Sequence, residues 1–287
     1  MTTTPRAAVT HHPERTDHTD RAARTTIDVD PAPAIDPGEV HVWHIPLDGL
    51  PRAAQDHLAT ALGPEELRRR ATYPSSTARA RYTVAHGTVR LLLGHFLGIP
   101  ARAVRIRCGP LGKPELAPAA VPPALPAPDI RYSLSHTQGH AMVAMTTGRA
   151  IGVDLEHARP GFPLEAFTRR YFPGPEHDLV LDEGSAAADR EQTFLRLWTR
   201  KEALVKAAGA RMAVGVRQPV CSPAGLTTAP ARIHARHPRL HGTWTVQNLP
   251  PPHPLATGSA AAALALSGSH PYRVVTHTVS HPTTHEG

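Results

Sequence analysis

Two carboxylates separated by one residue are the first feature of this sequence that could do chemistry. Asp154 and Glu156 lie in the segment Ile-Gly-Val-Asp-Leu-Glu, residues 151–156, whose composition is typical of a β-strand. Because side chains alternate between the two faces of a strand, both carboxylates project from the face that carries Gly152. Carboxylate oxygens are the ligands that Mg²⁺ prefers, so the spacing predicts a site for one hard cation. A solvated acidic strand face is the plainer alternative.

A second charged pair lies on a long amphipathic segment, residues 189–208, which is predicted to be a helix that ends at Gly209. Glu202 and Lys206 are four residues apart and therefore fall on the same side of that helix. Lys201 falls inside the apolar stripe, where an ammonium needs a partner or a route to water. The alternative is an ordinary amphipathic helix with one surface ion pair.

Four further polar residues could bind phosphate. Ser133 and Ser135 share one face of a predicted strand, and His136 follows at the strand end. Lys113 lies in a turn between a glycine and a proline, and it is one of only three lysines in the chain. Lysine, unlike arginine, can place a compact charge on phosphate or give up a proton. A Ser–His hydrolase is a rival interpretation, but the chain has no Gly-x-Ser-x-Gly motif. A polar strand end and a solvated turn lysine also stay open.

The elements that must position these residues form two halves, 39–150 and 151–270. Predicted strands in the first half are 40–45, 130–135 and 141–146, and predicted helices are 65–71 and 78–97. The second half has strands at 150–156, 243–247 and 260–266 around the helix at 189–208. We therefore predict an α+β fold of two similar α/β subdomains in a pseudo-twofold arrangement. Each would be an antiparallel sheet packed with helices, with the metal site at the subdomain interface.

The remaining segments are expected to be irregular. Residues 1–38 are polar and lack apolar periodicity, so they are predicted to be a disordered tail. Residues 117–128 contain five prolines and are predicted to be a loop. Residues 271–287 are assigned to a second tail that could hold one short strand at most.

Composition excludes several classes of protein. The chain has 287 residues and a net charge of +7, and residues 1–38 are acidic, so the remainder carries +9. Two cysteines exclude a disulfide scaffold.

No apolar run approaches the ~20 residues of a membrane helix, and residues 1–10 lack an apolar signal segment. We therefore expect a cytoplasmic protein. Aromatic residues make up 5% of the chain, which disfavours the alternative of a nucleic-acid binder with a stacking surface.

Taken in order, these motifs resemble those of the phosphopantetheinyl transferase superfamily. They are Gly-Lys-Pro at 112–114, Ser-Leu-Ser-His at 133–136, Gly-Val-Asp-Leu-Glu at 152–156 and Trp-Thr-Arg-Lys-Glu-Ala-Leu-Val-Lys at 198–206. The chain length resembles the larger, single-chain surfactin-synthetase-activator type. The similarity covers about residues 39–268, and all three lysines fall on motif positions.

The resemblance implies transfer of phosphopantetheine from coenzyme A to a serine of an apo acyl, polyketide or peptidyl carrier protein. The products would be the holo carrier and adenosine bisphosphate. It further implies dependence on Mg²⁺, or alternatively Mn²⁺, a monomeric enzyme of secondary-metabolite biosynthesis, and no nucleic-acid or membrane partner.

The resemblance also assigns roles to residues. The metal ligands would be Asp154, Glu156 and Glu202. Glu202 would also be the general base, and Lys206 would assist the leaving group. The residues that contact coenzyme A would be Arg69, Lys113, Ser135, His136, Lys201 and Lys206. Glu176, in a Phe-x-x-x-Glu element, would help to shape the site.

Two other functions use the same residues. A metal-dependent phosphohydrolase could place these carboxylates on another phosphate ester and would need no carrier protein. A non-catalytic protein could bind coenzyme A, but such a protein would not need Asp154, Glu156, Glu202 and Lys206 together.

Overall fold

A computed structural model describes residues 34–117, 129–222, 225–227, 229–252, 255 and 260–279. The predicted tail at 1–38 lies mostly outside these residues, as does nearly all of the proline-rich loop. The strands are β1 (Glu39–Pro46), β2 (Ile106–Cys108), β3 (Pro114–Leu116), β4 (Ile130–Thr137), β5 (His140–Thr147), β6 (Ile151–His157), β7 (Ala231–Ala235), β8 (Gly242–Leu249), β9 (Ala260–Ser267) and β10 (Arg273–Thr278). The helices are α1 (Arg52–Ala61), α2 (Pro64–Ala71), α3 (Ser76–Leu97), α4 (Leu164–Tyr171), α5 (Gly174–Val180), α6 (Ala187–Ala208) and α7 (Met212–Gly215).

Two four-stranded sheets organise the molecule, which confirms the α+β prediction. The N-terminal sheet has the strand order β10-β1-β5-β4, and the C-terminal sheet has the order β6-β9-β8-β7. Each half contains a 22-residue helix, α3 or α6. Both helices end at a glycine with a left-handed backbone, Gly98 at φ 64° and Gly209 at φ 60°, a conformation that glycine adopts without steric cost.

The C-terminal segment corrects two predictions. Residues 271–287 were assigned to a tail that could hold one short strand; Arg273–Thr278 is such a strand, β10, but it belongs to the N-terminal sheet rather than to a tail. This strand pairs with β1 in parallel, so the N-terminal sheet is mixed rather than antiparallel throughout. The segment is held by a hydrogen bond between the His277 and His41 rings at 2.9 Å and by stacking of His277 on Trp43. Val279, just beyond the strand, is buried in the N-terminal core.

The alanine-rich strand β9 explains how α6 packs on the C-terminal sheet. Alternate alanines of β9, at 261, 263 and 265, belong to the core beneath α6 together with Ala203 and Ala207 of the helix. Small side chains on both elements allow their backbones to approach closely. The opposite face of β9, with Leu264 and Leu266, packs in a separate core between the two sheets. The functional residues of β6 and α6 are therefore held against each other by small residues.

Several short elements carry weak sequence signals and were not predicted. These are α1, α4, α5, α7 and the strands β2, β3 and β7. Helices α4 and α5 have eight and seven residues, and each follows a proline. Helices this short show too few turns for apolar periodicity to be recognised. In the described part of the chain, no helix has both the length and the apolar character required to cross a membrane.

Candidate active site

Three carboxylates from two elements meet at the boundary of the two subdomains. Asp154 and Glu156 project from β6, and Glu202 projects from α6. One oxygen of each residue lies within 4.8 Å of the others, and Asp154 is buried while the other two are partly buried. Among the described residues, this is the one group of acidic, histidine or cysteine side chains with such geometry.

Gly152 permits this convergence. A side-chain carbon placed on Gly152 would collide with the carbonyl oxygen of Ala203 and the amide nitrogen of Ala207, both in the backbone of α6. The helix backbone therefore lies directly on β6 at this position. Glu202 directly precedes Ala203, and Asp154 lies two residues after Gly152. The close approach of the two backbones, which Gly152 allows, therefore brings the two carboxylates together.

Asp154 is held at one oxygen and open at the other. Its Oδ1 accepts hydrogen bonds from Lys206 at 2.6 Å and from the Ser135 hydroxyl at 2.9 Å. Its Oδ2 is buried and has no hydrogen-bond partner among the described residues. A buried carboxylate oxygen without a partner is costly and calls for an explanation. A cation shared with Glu156 and Glu202 supplies one, because three carboxylates suit a hard divalent ion.

The cluster makes Glu202 unusually basic. Burial, followed by the negative charge of Asp154, raises its pKa from an ordinary 4.5 to about 8, although Lys206 opposes both effects. Burial and Asp154 also raise the pKa of Glu156, which the Arg159 guanidinium contacts at 3.3 Å. Crowded carboxylates raise each other's pKa until a cation offsets their repulsion. Without a cation, this cluster holds its protons tightly.

Lys113 extends from the N-terminal subdomain to the backbone of the C-terminal subdomain. Its ammonium donates hydrogen bonds to the carbonyl oxygens of Ile151 at 3.1 Å and Ala207 at 3.0 Å. An ammonium has three donors, so one donor is available for a ligand. Burial lowers the pKa of Lys113 to about 8. The residue thus ties β6 and the end of α6 to the loop before β3.

Lys201 lies outside the acidic cluster. Its side chain is fully buried, and its ammonium forms an ion pair with Glu176 at 2.6 Å and donates a hydrogen bond to the carbonyl of Gln218 at 2.7 Å. The ammonium also lies over the ring of Phe172, 4.8 Å from its centroid. The partner required for a lysine inside an apolar stripe is therefore Glu176, and the structure does not place Lys201 where it could contact coenzyme A.

His136 and Arg69 are associated with a cleft of about 250 Å³ in the N-terminal subdomain. His136 lines the cleft, whereas Arg69 lies at its edge, 5.7 Å from the ring centroid of the lining residue Tyr73. Burial lowers the pKa of His136, and the nearby His86 and Lys206 lower it further. The other lining residues are Leu47, Ser75, Thr77, Ala78, Arg81, Tyr82, His86, Thr137, Gln138 and Gly139.

An apolar trough of about 210 Å³ opens beside Glu156 of the cluster. Glu156 lies at one end of it, and aromatic rings form its walls. Its lining residues are Glu156, His157, Ala158, Arg159, Phe162, Leu164, Phe167, Glu191, Phe194, Leu195 and Trp198. In the sequence, Phe194 and Trp198 fall on the apolar stripe of the predicted helix, which indicates packing in a core rather than contact with a ligand. The sequence signal that could have indicated this trough is Phe162, an aromatic residue shortly after the acidic strand. In the structure its side chain is exposed.

The part of the chain that carries this site is similar in sequence to known proteins. The sequence model of the 4'-phosphopantetheinyl transferase superfamily matches residues 150–263, which include β6, α6 and the acidic cluster. The chain is 35% identical over 197 residues to the 4'-phosphopantetheinyl transferase HetI of Nostoc sp., an alignment that covers 67% of this chain and 80% of the relative. The chain therefore belongs to the 4'-phosphopantetheinyl transferase superfamily.

Two further relatives are more distant. A Synechocystis sp. protein is 27% identical over 177 residues, which is 62% of this chain and 68% of the relative. A 4'-phosphopantetheinyl transferase of Bacillus subtilis is 24% identical over 160 residues, which is 56% of this chain and 66% of the relative. The chain length is consistent with the larger, single-chain type within the superfamily.

Proposed function

We propose that this chain transfers the phosphopantetheine group of coenzyme A to a serine hydroxyl of an apo carrier protein, using a divalent cation. The observation that carries the proposal is the convergence of Asp154, Glu156 and Glu202, with one buried oxygen of Asp154 left without a partner. Family membership supports the transferred group and the class of acceptor.

The reaction forms one bond and breaks one bond. The serine oxygen of the carrier attacks the phosphorus next to pantetheine, and the bond from that phosphorus to the oxygen of the other phosphate breaks. The products are a serine phosphodiester and adenosine 3',5'-bisphosphate. The serine proton passes to a carboxylate oxygen of Glu202, directly or through one water, so that Glu202 acts as the general base.

The three carboxylates would hold Mg²⁺ or Mn²⁺. When bound, that ion would neutralise the diphosphate of coenzyme A and polarise the phosphorus under attack. Lys206 is placed to offset the negative charge of the departing bisphosphate, because its ammonium already reaches the cluster at Asp154. Phosphoryl transfer depends chiefly on such positioning and charge neutralisation.

The chemistry of the two cavities, one beside Glu156 and one beside His136, suits the two ends of coenzyme A. The cleft beside His136 offers Arg81, Tyr82 and His86 to a charged nucleotide. The trough beside Glu156 is lined mainly by apolar side-chain atoms, which suits the branched apolar part of pantetheine next to the diphosphate. On this arrangement, Trp198→Ala raises the KM for coenzyme A about tenfold but leaves binding of adenosine 3',5'-bisphosphate unchanged. If Trp198→Ala weakened the binding of coenzyme A and of the bisphosphate equally, pantetheine would bind outside the trough.

The acceptor would be an acidic carrier domain. Outside residues 1–38 the chain carries a net charge of +9, and charge complementarity speeds association and selects partners. Two free cysteines agree with a reducing, cytoplasmic compartment.

The direct test incubates the full chain with coenzyme A, Mg²⁺ and a panel of apo acyl, polyketide and peptidyl carrier domains, followed by intact mass spectrometry. We expect at least one carrier to gain the mass of one phosphopantetheine, and EDTA to prevent the gain. Unmodified carriers together with phosphate release from small esters would instead indicate a phosphohydrolase.

A further inference from the structure

Ser135 is buried in β4 at the boundary with the C-terminal subdomain, and its hydroxyl has three partners. The hydroxyl lies 2.9 Å from Oδ1 of Asp154, 2.8 Å from the ammonium of Lys206 and 3.3 Å from the backbone nitrogen of Leu155. It therefore contacts one predicted metal ligand, one predicted catalytic lysine and the strand between the two carboxylates of β6.

The chemistry of these partners fixes the role of the hydroxyl. An ammonium and a backbone N–H can only donate, whereas an ionised carboxylate can only accept. The single hydroxyl proton of Ser135 must therefore point to Asp154, and its two lone pairs accept from Lys206 and Leu155. All three hydrogen-bonding positions of the hydroxyl are therefore occupied by these partners.

We propose that Ser135 is a positioning residue for the cation site. By holding Oδ1 of Asp154 it leaves Oδ2, which is buried and without a partner, as the oxygen that faces an ion. The same hydroxyl holds Lys206 beside the cluster. The proposal rests on the proposed function, because it needs a cation at Asp154.

Ser133 provides a matched control on the same strand face. Its hydroxyl accepts a hydrogen bond from the backbone nitrogen of Val153 at 3.1 Å, as Ser135 does from Leu155 two residues later. Both serines are buried and both join β4 to β6. Only Ser135 also contacts a carboxylate and a lysine. Comparison of the two alanine variants therefore separates positioning of Asp154 from joining of the strands.

The test measures two ligands on the full chain. Mn²⁺ alone is titrated by electron paramagnetic resonance, and adenosine 3',5'-bisphosphate is titrated by calorimetry in EDTA. We expect Ser135→Ala to weaken Mn²⁺ binding by about 10- to 100-fold, the usual effect of losing a group that orients a metal ligand. Bisphosphate binding should not change. Ser133→Ala should alter neither affinity, and Ser135→Thr, which keeps the hydroxyl, should recover most of the Mn²⁺ affinity.

Three outcomes would overturn the proposal. If Ser135→Ala binds Mn²⁺ like the wild type, the hydroxyl does not position the cation site, and if it loses bisphosphate binding instead, the hydroxyl serves the nucleotide. If Ser133→Ala weakens Mn²⁺ binding equally, strand joining explains the effect. If the wild type binds no Mn²⁺, the metal centre of the proposed function fails together with this inference. Thermal melting of each variant confirms that folded protein is compared.

Discussion

Glu202 combines the strongest electrostatic signature of the cluster with a position on a rigid helix. Its pKa of about 8 arises chiefly from burial and from Asp154, and its side chain lies on the same helix as Lys206. A carboxylate has two oxygens, so Glu202 can ligate a cation with one and accept a proton with the other.

Glu202→Gln tests this double role, because glutamine keeps the shape but loses the charge and the basicity. We expect the rate of carrier modification at saturating Mg²⁺ to fall by about 10²–10⁴, the usual contribution of a general base. Asp189→Asn is the control, since Asp189 is an exposed carboxylate in the first turn of the same helix. If Glu202→Gln modified the carrier at a near-normal rate, Glu202 would not be the general base.

The raised pKa of Glu202 also predicts how cation binding depends on pH. A cation must displace the Glu202 proton, so Mn²⁺ affinity should rise by up to about tenfold per pH unit from pH 6 towards 8 and level off above it. Without the ion, the stability contributed by this proton is complete below about pH 4.5 and is lost as pH rises through about 8. The increase in Tm on adding Mn²⁺ should therefore grow over that range. A pH-independent increase would show that Glu202 binds no ion.

Much of the site at the residue scale could be predicted from sequence, because local periodicity determines it. Strand alternation places Asp154 and Glu156 on one face, and the four-residue spacing places Glu202 beside Lys206. The partner of Lys201 could not be predicted. Glu176 is 25 residues away on another helix, and only the packing of α5 against α6 brings the two charges together.

At the scale of elements, the site depends on the close approach of α6 to β6. The backbone of the helix occupies the space where a side chain on Gly152 would lie. The alanines of β9 extend the same close contact across the sheet. The positions of the three carboxylates therefore depend on the small residues Gly152 and the β9 alanines, which let α6 lie close to the sheet.

Gly152→Ala should push α6 away from β6. We expect a loss of about 1–3 kcal/mol in the free energy of unfolding, as for other overpacked contacts, together with weaker Mn²⁺ binding. Gly174→Ala is the matched control, because a side-chain carbon at the first residue of α5 would meet no atom within 4 Å. Denaturant unfolding measures the first effect. Unchanged stability of Gly152→Ala would show that the helix yields without cost.

At the scale of the whole molecule, the two subdomains are joined by more than the site. Strand β10 follows the C-terminal sheet in sequence but completes the N-terminal sheet beside β1. The sequence allowed one short strand here but did not predict its place in the N-terminal sheet, because its pairing depends on a partner more than 200 residues away. Long-range pairing of this kind leaves no local signal.

Removal of residues 271–287 should therefore destabilise the N-terminal subdomain. The truncated chain loses the parallel partner of β1, the His277–Trp43 stack and the buried side chain of Val279. Burial of one valine alone contributes about 1.5–3 kcal/mol, so we expect Tm to fall by at least about 5 °C. Truncation after Val279 is the control and should leave Tm unchanged. Equal melting of both truncated chains would show that β10 contributes no stability.

The central claim is that one divalent ion binds between β6 and α6 at Asp154, Glu156 and Glu202. Crystals grown with Mn²⁺ and coenzyme A, measured at the manganese absorption edge, test it most directly. The account predicts one anomalous peak with an oxygen of each carboxylate at about 2.1 Å, beside the diphosphate. A peak away from these residues, or no peak at saturating Mn²⁺, would contradict it.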